Sequence, residues 1–274
     1  MASTFPYLMT LDAVKHPETT WVKITTITIH TKFDATFDIH VMKALMAKLG
    51  SISLSPHSSS SGQVWTLHPT KFYNQITIAS ESLGKKKSVK IFSNGSVQIA
   101  GCSDLFDCKR VVRQVAHILE ILKGSVLVVP LFKVAMINTN FRLNYTINLM
   151  EVVRLFGSNK IFSHIEFNPD NYSAVIIKFK PASDMKTVTV SIFSTGSVII
   201  TGAETLKEIV FAYSIITKFI ELHKVEIKVA PNAVTNTNQF DYICGYHIEE
   251  LIKHLKQKGT PSWFDAIDND PVFV

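Results

Sequence analysis

The feature that most constrains this chain is that it repeats itself. The segment ITIHTKFDATFDIHVMKAL at residues 27–45 echoes AMINTNFRLNYTINLMEVV at residues 135–153, 108 positions further on, matching Ile29 with Ile137, Thr31 with Thr139, Phe33 with Phe141 and Met42 with Met150. A second echo, VKIFSNGSVQIAG at residues 89–101 and VSIFSTGSVIITG at residues 190–202, is spaced by 101. Two copies in the same order predict two quasi-equivalent halves, with the difference in spacing absorbed by connecting segments. Most of that difference is assigned to the serine-rich stretch SISLSPHSSSSG at residues 51–62, read as a polar surface insertion in the first copy.

Within each copy the apolar period alternates between that of a strand and that of a helix. A strand, about residues 22–33 or 132–143, leads into a helix with Ile39, Met42, Leu45 and Leu49, or Ile147, Met150 and Val153, on one face. Gly50 and Gly157 follow as expected left-handed caps. Further strands joined by tight turns come next, and each copy closes on a long helix, residues 103–122 or 205–222. Its apolar stripe is Leu105, Cys108, Val112, Val115, Leu119 and Leu122, or Leu206, Ile209, Tyr213, Ile216 and Ile220.

The strands have unequal faces. Val89, Ile91, Val97 and Ile99, with Val188, Val190, Ile192, Val198 and Ile200, form an aliphatic side that takes the helices. The opposite side carries Lys90, Gln98, Ala100, Ser191, Ile199 and Thr201, together with the isolated aromatics Phe92 and Phe193. Phe72 of HPTKF and Tyr172 of NPDNY are the expected cross-strand partners of Phe92 and Phe193, over hairpins turning within residues 80–87 and 181–186. A single strand aromatic is usually core. Two symmetric pairs on the less aliphatic face point instead to a ligand.

Composition narrows the classes further. The chain has 274 residues, 46% of them hydrophobic, enough for a substantial core. No apolar run approaches a membrane span, and the N-terminus lacks a signal-peptide pattern, so an intracellular, non-secreted protein is expected. Cys102, Cys108 and Cys244 form no CxxC pair. The net charge of +6 suits a polyanionic partner. No glycine-rich phosphate loop, HExxH or GxSxG is present, so no catalytic residue, cofactor or metal is expected. Cys244, His247 and His254 have a metal-like spacing but no fourth ligand; the alternative is an amphipathic helix over residues 242–256 with Ile248, Leu251, Ile252 and Leu255 apolar.

The twin segments IFSNGSVQIAGC and IFSTGSVIITGA, with HPTKF and NPDNY, resemble the paired motifs of the TATA-box-binding-protein family. FKVAMINTNFRLNYTI is also similar to divergent chains of that type in large DNA viruses. The resemblance implies an α+β fold of two pseudo-symmetric repeats, residues 21–123 and 131–223, forming a curved antiparallel saddle with helices on the convex face. A segment at 1–20, a linker at 124–130 and an extension at 224–274 complete the division. It also implies a transcription initiation factor that binds and bends double-stranded, A/T-rich DNA in the minor groove, with Phe72, Phe92, Tyr172 and Phe193 as wedges. The groove floor would comprise Thr28, His30, Lys90, Gln98, Ala100, Met136, Asn138, Ser191, Ile199 and Thr201, the family's paired asparagines falling on Thr28 and Met136. Ser96 and Ser197 stand where the family has lysines, leaving Lys71, Lys85, Lys86, Lys87 and Lys178 to contact phosphates. Asn168 and Asp170 match the family's contact for a TFIIB-like factor, with RNA polymerase machinery as the wider partner. The expected place of action is a nucleus or a cytoplasmic viral factory. The alternative is an interaction module of the same fold that has lost DNA binding.

Overall fold

The computed structural model describes residues 19–20, 22–54, 63–82, 85–231, 242–243 and 246–247. The chain divides into two compact units, one spanning Thr26–Ala135 and the other Met1–Thr25 with Met136–Val274. Backbone bonds explain why the N-terminal stretch joins the later unit. Thr20 N donates to the Arg142 carbonyl and Arg142 N to Thr20 Oγ1, both at 2.8 Å, while the Tyr213 hydroxyl donates to the Thr20 carbonyl at 2.9 Å.

The first half runs β1 (Lys23–Lys32), α1 (Ile39–Leu49), β2 (Ser51–Leu54), β3 (Gln63–Leu67), β4 (Gln75–Ser82), β5 (Lys85–Phe92), β6 (Ser96–Cys102) and α2 (Leu105–Lys123). Its strands pair antiparallel in the order β2-β3-β4-β5-β6-β1. The second half runs β7 (Phe132–Arg142), β8 (Tyr145–Ile147), α3 (Leu149–Gly157), β9 (Phe162–Glu166), β10 (Ala174–Phe179), β11 (Val188–Phe193), β12 (Ser197–Ala203) and α4 (Leu206–Leu222). Here the order is β7-β12-β11-β10-β9, again antiparallel. A short helix α5 (Lys224–Ile227) then leads to β13 (Lys228–Pro231), which pairs with β8.

Helices α1 to α4 each start where a side chain satisfies free N–H groups. Asp38 accepts from His40 N and Val41 N; Asn148 accepts from Met150 N and Glu151 N. Asp104 caps α2, and Thr205 with Glu208 forms a reciprocal capping box on α4. The expected stripes of the long helices are buried from Cys108 to Leu122 and from Ile209 to Ile220, with Leu105 and Leu206 half-buried at the first turn. They meet the aliphatic strand face, where Val89, Ile91, Ile99, Val188, Val190, Ile192, Val198 and Ile200 are wholly buried. Truncating such a residue to alanine costs about 2–5 kcal/mol.

The structure corrects the repeat register at the start of each copy. The helix caps Asp38 and Asn148 are equivalent, as are the bonds Phe33 N to Gly95 O (2.9 Å) and Leu143 N to Gly196 O (2.8 Å), so this part is spaced by 110 rather than 108. The stripes move accordingly. Met42 and Met46 of α1 correspond to Val152 and Phe156 of α3, all four buried, whereas Met150, expected inside, is 65% exposed and Leu49 51%. Gly157 is the last helical residue of α3 and Ser158 its cap, so the expected left-handed glycine is absent there; Gly50 does take φ 71°. The serine-rich stretch begins as strand β2, whose Ile52 stands opposite the buried Trp65, and only residues 55–62 lie outside the described residues. Near the C-terminus, Tyr242–Ile243 (β14) pairs with Tyr246–His247 (β15), which excludes a helix beginning at 242. Cys244, His254 and the rest of that expected helix lie outside the described residues.

Candidate nucleic-acid interface

Opposite the helices, each sheet presents a face built of cross-strand rows. In the first half Thr77 stands opposite Lys90, Lys90 opposite Gln98 and Gln98 opposite His30. The equivalent row in the second half is Ile176, Ser191, Ile199 and Asn140. Flanking rows pair Ser88 with Ala100 and Thr189 with Thr201. Lys90, Gln98, Ala100, Ser191, Ile199 and Thr201 are all partly accessible, and His30 is exposed. The aliphatic neighbours at odd steps are buried beneath them, so the sequence alternation assigned these faces correctly.

A tight turn holds Phe92 and Phe193 at the end of each row set. Gly95 N donates to Phe92 O at 3.1 Å and Gly196 N to Phe193 O at 3.0 Å, with both glycines at positive φ. At Gly95 a Cβ would collide with the carbonyl oxygens of Phe33 and Ala35, which makes glycine obligatory there. Tyr172 and Phe193 form an edge-to-face pair, 5.7 Å between centroids at 71°, with Tyr172 42% exposed. The pairing is diagonal, because the residue opposite Phe193 is Ala174.

The first-half pair differs from expectation. Gln75, not Phe72, stands opposite Phe92, and among the described residues Phe72 makes no ring contact with it. Phe72 is 62% exposed, its carbonyl accepting from Lys43 Nζ at 3.1 Å. By strand register the equivalent of Tyr172 is Tyr73, two residues before the partner of the turn aromatic and 80% exposed. Sequence reading missed Tyr73 because the spacing from proline was counted identically in HPTKF and NPDNY. A groove of about 600 Å³ opens beside Phe92 in this unit, lined by His30, Lys32, Gln98, Leu131 and Lys133 among others.

Two further expectations need correction. Lys87 is not available to phosphate: it sits on the aliphatic side of β5, its Nζ 3.0 Å from Asp107 Oδ2, with side chains 5% and 6% exposed. Burial would raise the Asp107 carboxyl, but bonds from Ser103 N–H, Arg110 and Lys87 outweigh it and hold the group below its ordinary value. Glu208 occupies the same helix position in the second half. There too burial is outweighed, by the backbone N–H groups of Lys186, Glu204 and Thr205. Thr28 is buried, and the corrected spacing pairs Met136 with the half-buried Thr26, not with Thr28. Met136 and Asn138 are half-buried on β7.

Lys71, Lys85, Lys86 and Lys178 are exposed. So are Asn168 and Asp170, in a turn where Asn168 Oδ1 accepts from Asp170 N at 3.2 Å and the Asn168 carbonyl from Asn171 N and Tyr172 N. The buried Cys102 and Cys108 are free thiols; a hydrogen bond with Cys102 and burial both push the Cys108 thiol upward, away from nucleophilic chemistry. Among the described residues no helix is long and apolar enough to cross a membrane, and no acidic, histidine or cysteine cluster could hold a metal.

Comparison with known proteins agrees with this geometry. A family model described as "Transcription factor TFIID (or TATA-binding protein, TBP)" matches residues 131–241. A "TATA-box-binding protein-like" protein of Acanthamoeba polyphaga mimivirus is 29% identical over 188 residues, covering 58% of this chain and 51% of that protein. The TATA-box-binding protein of Archaeoglobus fulgidus is 26% identical over 119 residues, 43% of this chain and 61% of its own length. The chain thus spans about half of the viral relative and under two thirds of the archaeal one. The solved structure of Methanococcus jannaschii TBP superposes with a TM-score of 0.53 at 18% identity, over 74% of this chain and 99% of that one. The α+β fold is thus that of the archaeal TBP structure, and residues 131–241 are similar in sequence to the TATA-binding-protein family.

Proposed function

We propose that the chain is a transcription initiation factor that binds A/T-rich duplex DNA through the minor groove and bends it with aromatic side chains. The observation that carries this reading is the accessible edge-to-face pair Tyr172 and Phe193 on the face away from the helices, with Phe92 held on the matching turn of the first half. An apolar ring between base pairs costs stacking energy, which is offset when the bent duplex touches more protein. Phe72 and Tyr73 are the candidates for the outer ring of the first half. Lys71, Lys85, Lys86 and Lys178 supply the charge for phosphates, and the turn at Asn168 and Asp170 offers a place for a TFIIB-like factor that recruits polymerase. The reading assigns no catalysis, and it places the chain where promoters are transcribed inside a cell.

One observation favours a second reading, an interaction module without DNA. Serines replace lysines after both turns and Lys87 is committed to an internal ion pair, so cationic contacts are few. Fluorescence anisotropy on labelled A/T-rich duplex at several salt concentrations separates the two. The DNA-binding reading expects saturable binding that weakens with salt at a shallow slope, each phosphate contact adding about 0.9 to it. Absence of binding at low salt would leave the interaction module.

A further inference from the structure

Resting on the DNA-binding reading, we propose that Lys32 and Lys133, with their repeat counterparts Arg142 and Lys23, are phosphate contacts that accompany the turn aromatics Phe92 and Phe193. Lys32 and Lys133 belong to one compact unit, Arg142 and Lys23 to the other. The corrected spacing of 110 matches Lys32 with Arg142 and Lys23 with Lys133. Strand pairing makes the same match for the first pair, since Lys32 stands opposite Ser96 and Arg142 opposite Ser197. Each of these two cations is tied to the turn that carries the aromatic. Phe33, next after Lys32, donates its N–H to the Gly95 carbonyl at 2.9 Å, and Leu143, next after Arg142, donates to the Gly196 carbonyl at 2.8 Å. Lys32 and Arg142 share strand parity with His30 and Asn140, so they extend on the accessible face, where both are exposed. The serine opposite each is too short to cover a long stem.

The space beside Phe92 fits this chemistry. Lys32 and Lys133 line the groove of about 600 Å³ there together with Thr31, Ser96 and Gln98, and none of the described residues lining it is acidic. A phosphodiester brings negative charge and acceptor oxygens but no donor, which suits a wall of cations, hydroxyls and an amide. Among the described residues Lys32, Lys133 and Arg142 have no acidic partner; Asp34, two residues beyond Lys32, forms no ion pair with it. Lys87, held by Asp107, is the contrasting case. The two copies have also diverged around these positions. His30 is matched by Asn140, Lys90 by Ser191 and Gln98 by Ile199, whereas the cations and the turn phenylalanine are kept in both. Ring and cation thus repeat together. A ring that opens a base step needs the backbone beside it held, and a cation does this without reading sequence.

The test uses the full-length chain, end-labelled A/T-rich duplex and anisotropy at several salt concentrations. Lys32→Gln and Arg142→Gln remove the charge and keep a polar stem. Each should lower the slope of log affinity against log salt by about 0.9, and the two together by about 1.8. Between about 50 and 200 mM salt, each single change should shrink the parent's ratio of affinities about 3.5-fold. Lys218→Gln, at an exposed position on α4, is the control and should leave the slope unchanged. Duplexes carrying one uncharged methylphosphonate at successive positions then locate the contact. A replacement that weakens the parent should have no further effect on Lys32→Gln, a coupling that a purely structural role would not give. Lys133→Gln tests the same groove should Lys32→Gln fail to fold. Slopes that stay at the parent's value in these variants, or fall no more than in Lys218→Gln, would overturn the assignment while leaving DNA binding intact. No binding of the parent to the duplex at low salt would overturn the DNA-binding reading and this inference with it.

Discussion

Replacing Lys87 by methionine separates a lysine of the core from a lysine of the surface. Lys87 Nζ lies 3.0 Å from Asp107 Oδ2, and both side chains are about 95% shielded. Asp107 without Lys87 still accepts from Arg110 at 2.6 Å and from Ser103 N at 3.0 Å, so its charge stays partly compensated. The reverse change, Asp107→Asn, leaves Lys87 buried without its carboxylate, the situation that costs about 3–5 kcal/mol. Lys87→Met should therefore cost less, about 1–2 kcal/mol, and Asp107→Asn the full amount, a large part of a typical stability of about 5–15 kcal/mol. Urea unfolding midpoints measure both. In parallel, the slope of log affinity against log salt should be unaffected by Lys87→Met and fall by about 0.9 in Lys86→Ala. A Lys87→Met variant with an unchanged midpoint and a reduced slope would refute the burial argument and return Lys87 to the phosphate contacts.

Other outcomes follow from the same geometry. Asp107 and Glu208 both have folded values below the ordinary carboxylate range, so their contribution is complete above about pH 4 and is lost as pH falls through the depressed values; Glu208→Gln should flatten the acid side of a stability-pH curve. Gly95→Ala should lower the urea midpoint by an amount corresponding to roughly 1–3 kcal/mol, because φ is 86° and the added Cβ meets two carbonyl oxygens. Tyr213→Phe deletes the bond to the Thr20 carbonyl and should cost about 1 kcal/mol, with faster amide exchange at Thr20, whose N–H bonds Arg142. Of the two candidates for the outer ring in the first half, Tyr73→Ala should reduce duplex bending more than Phe72→Ala; equal effects would show that strand register does not decide the assignment.

How much of this was legible in the sequence depended on which period carried the information. Strand alternation from Val89 to Ile99 and from Val188 to Ile200 has a period of two, and it placed the aliphatic and accessible faces directly. The same period hid the error in register. A slip by two residues preserves every inward and outward assignment, so matching Phe33 to Phe141 looked as good as the true match to Leu143. Only the helix caps break that degeneracy, and reading Asp38 against Asn148 would have set the spacing at 110 and placed Val152 and Phe156 inside. Lys87 was also readable. It shares parity with Val89 and Ile91, and a helix carboxylate twenty residues later could have been sought as its partner. The assignment of Phe72 failed for another reason: HPTKF and NPDNY leave different distances to the following strand, which only backbone pairing reveals.

If rings on the accessible face bend DNA, fluorescence transfer between the labelled ends of an A/T-rich duplex reports it. Phe193 is half-buried on a face without helices, so Phe193→Ala should keep most of its stability, well short of the about 3–5 kcal/mol lost with a core phenylalanine. The full-length parent should bring the duplex ends together on binding. Phe193→Ala should remain folded, bind more weakly, and leave the end-to-end distance close to that of free duplex. A parent chain that binds the duplex without changing that distance, or a Phe193→Ala variant that bends it fully, would show that these rings do not act as wedges.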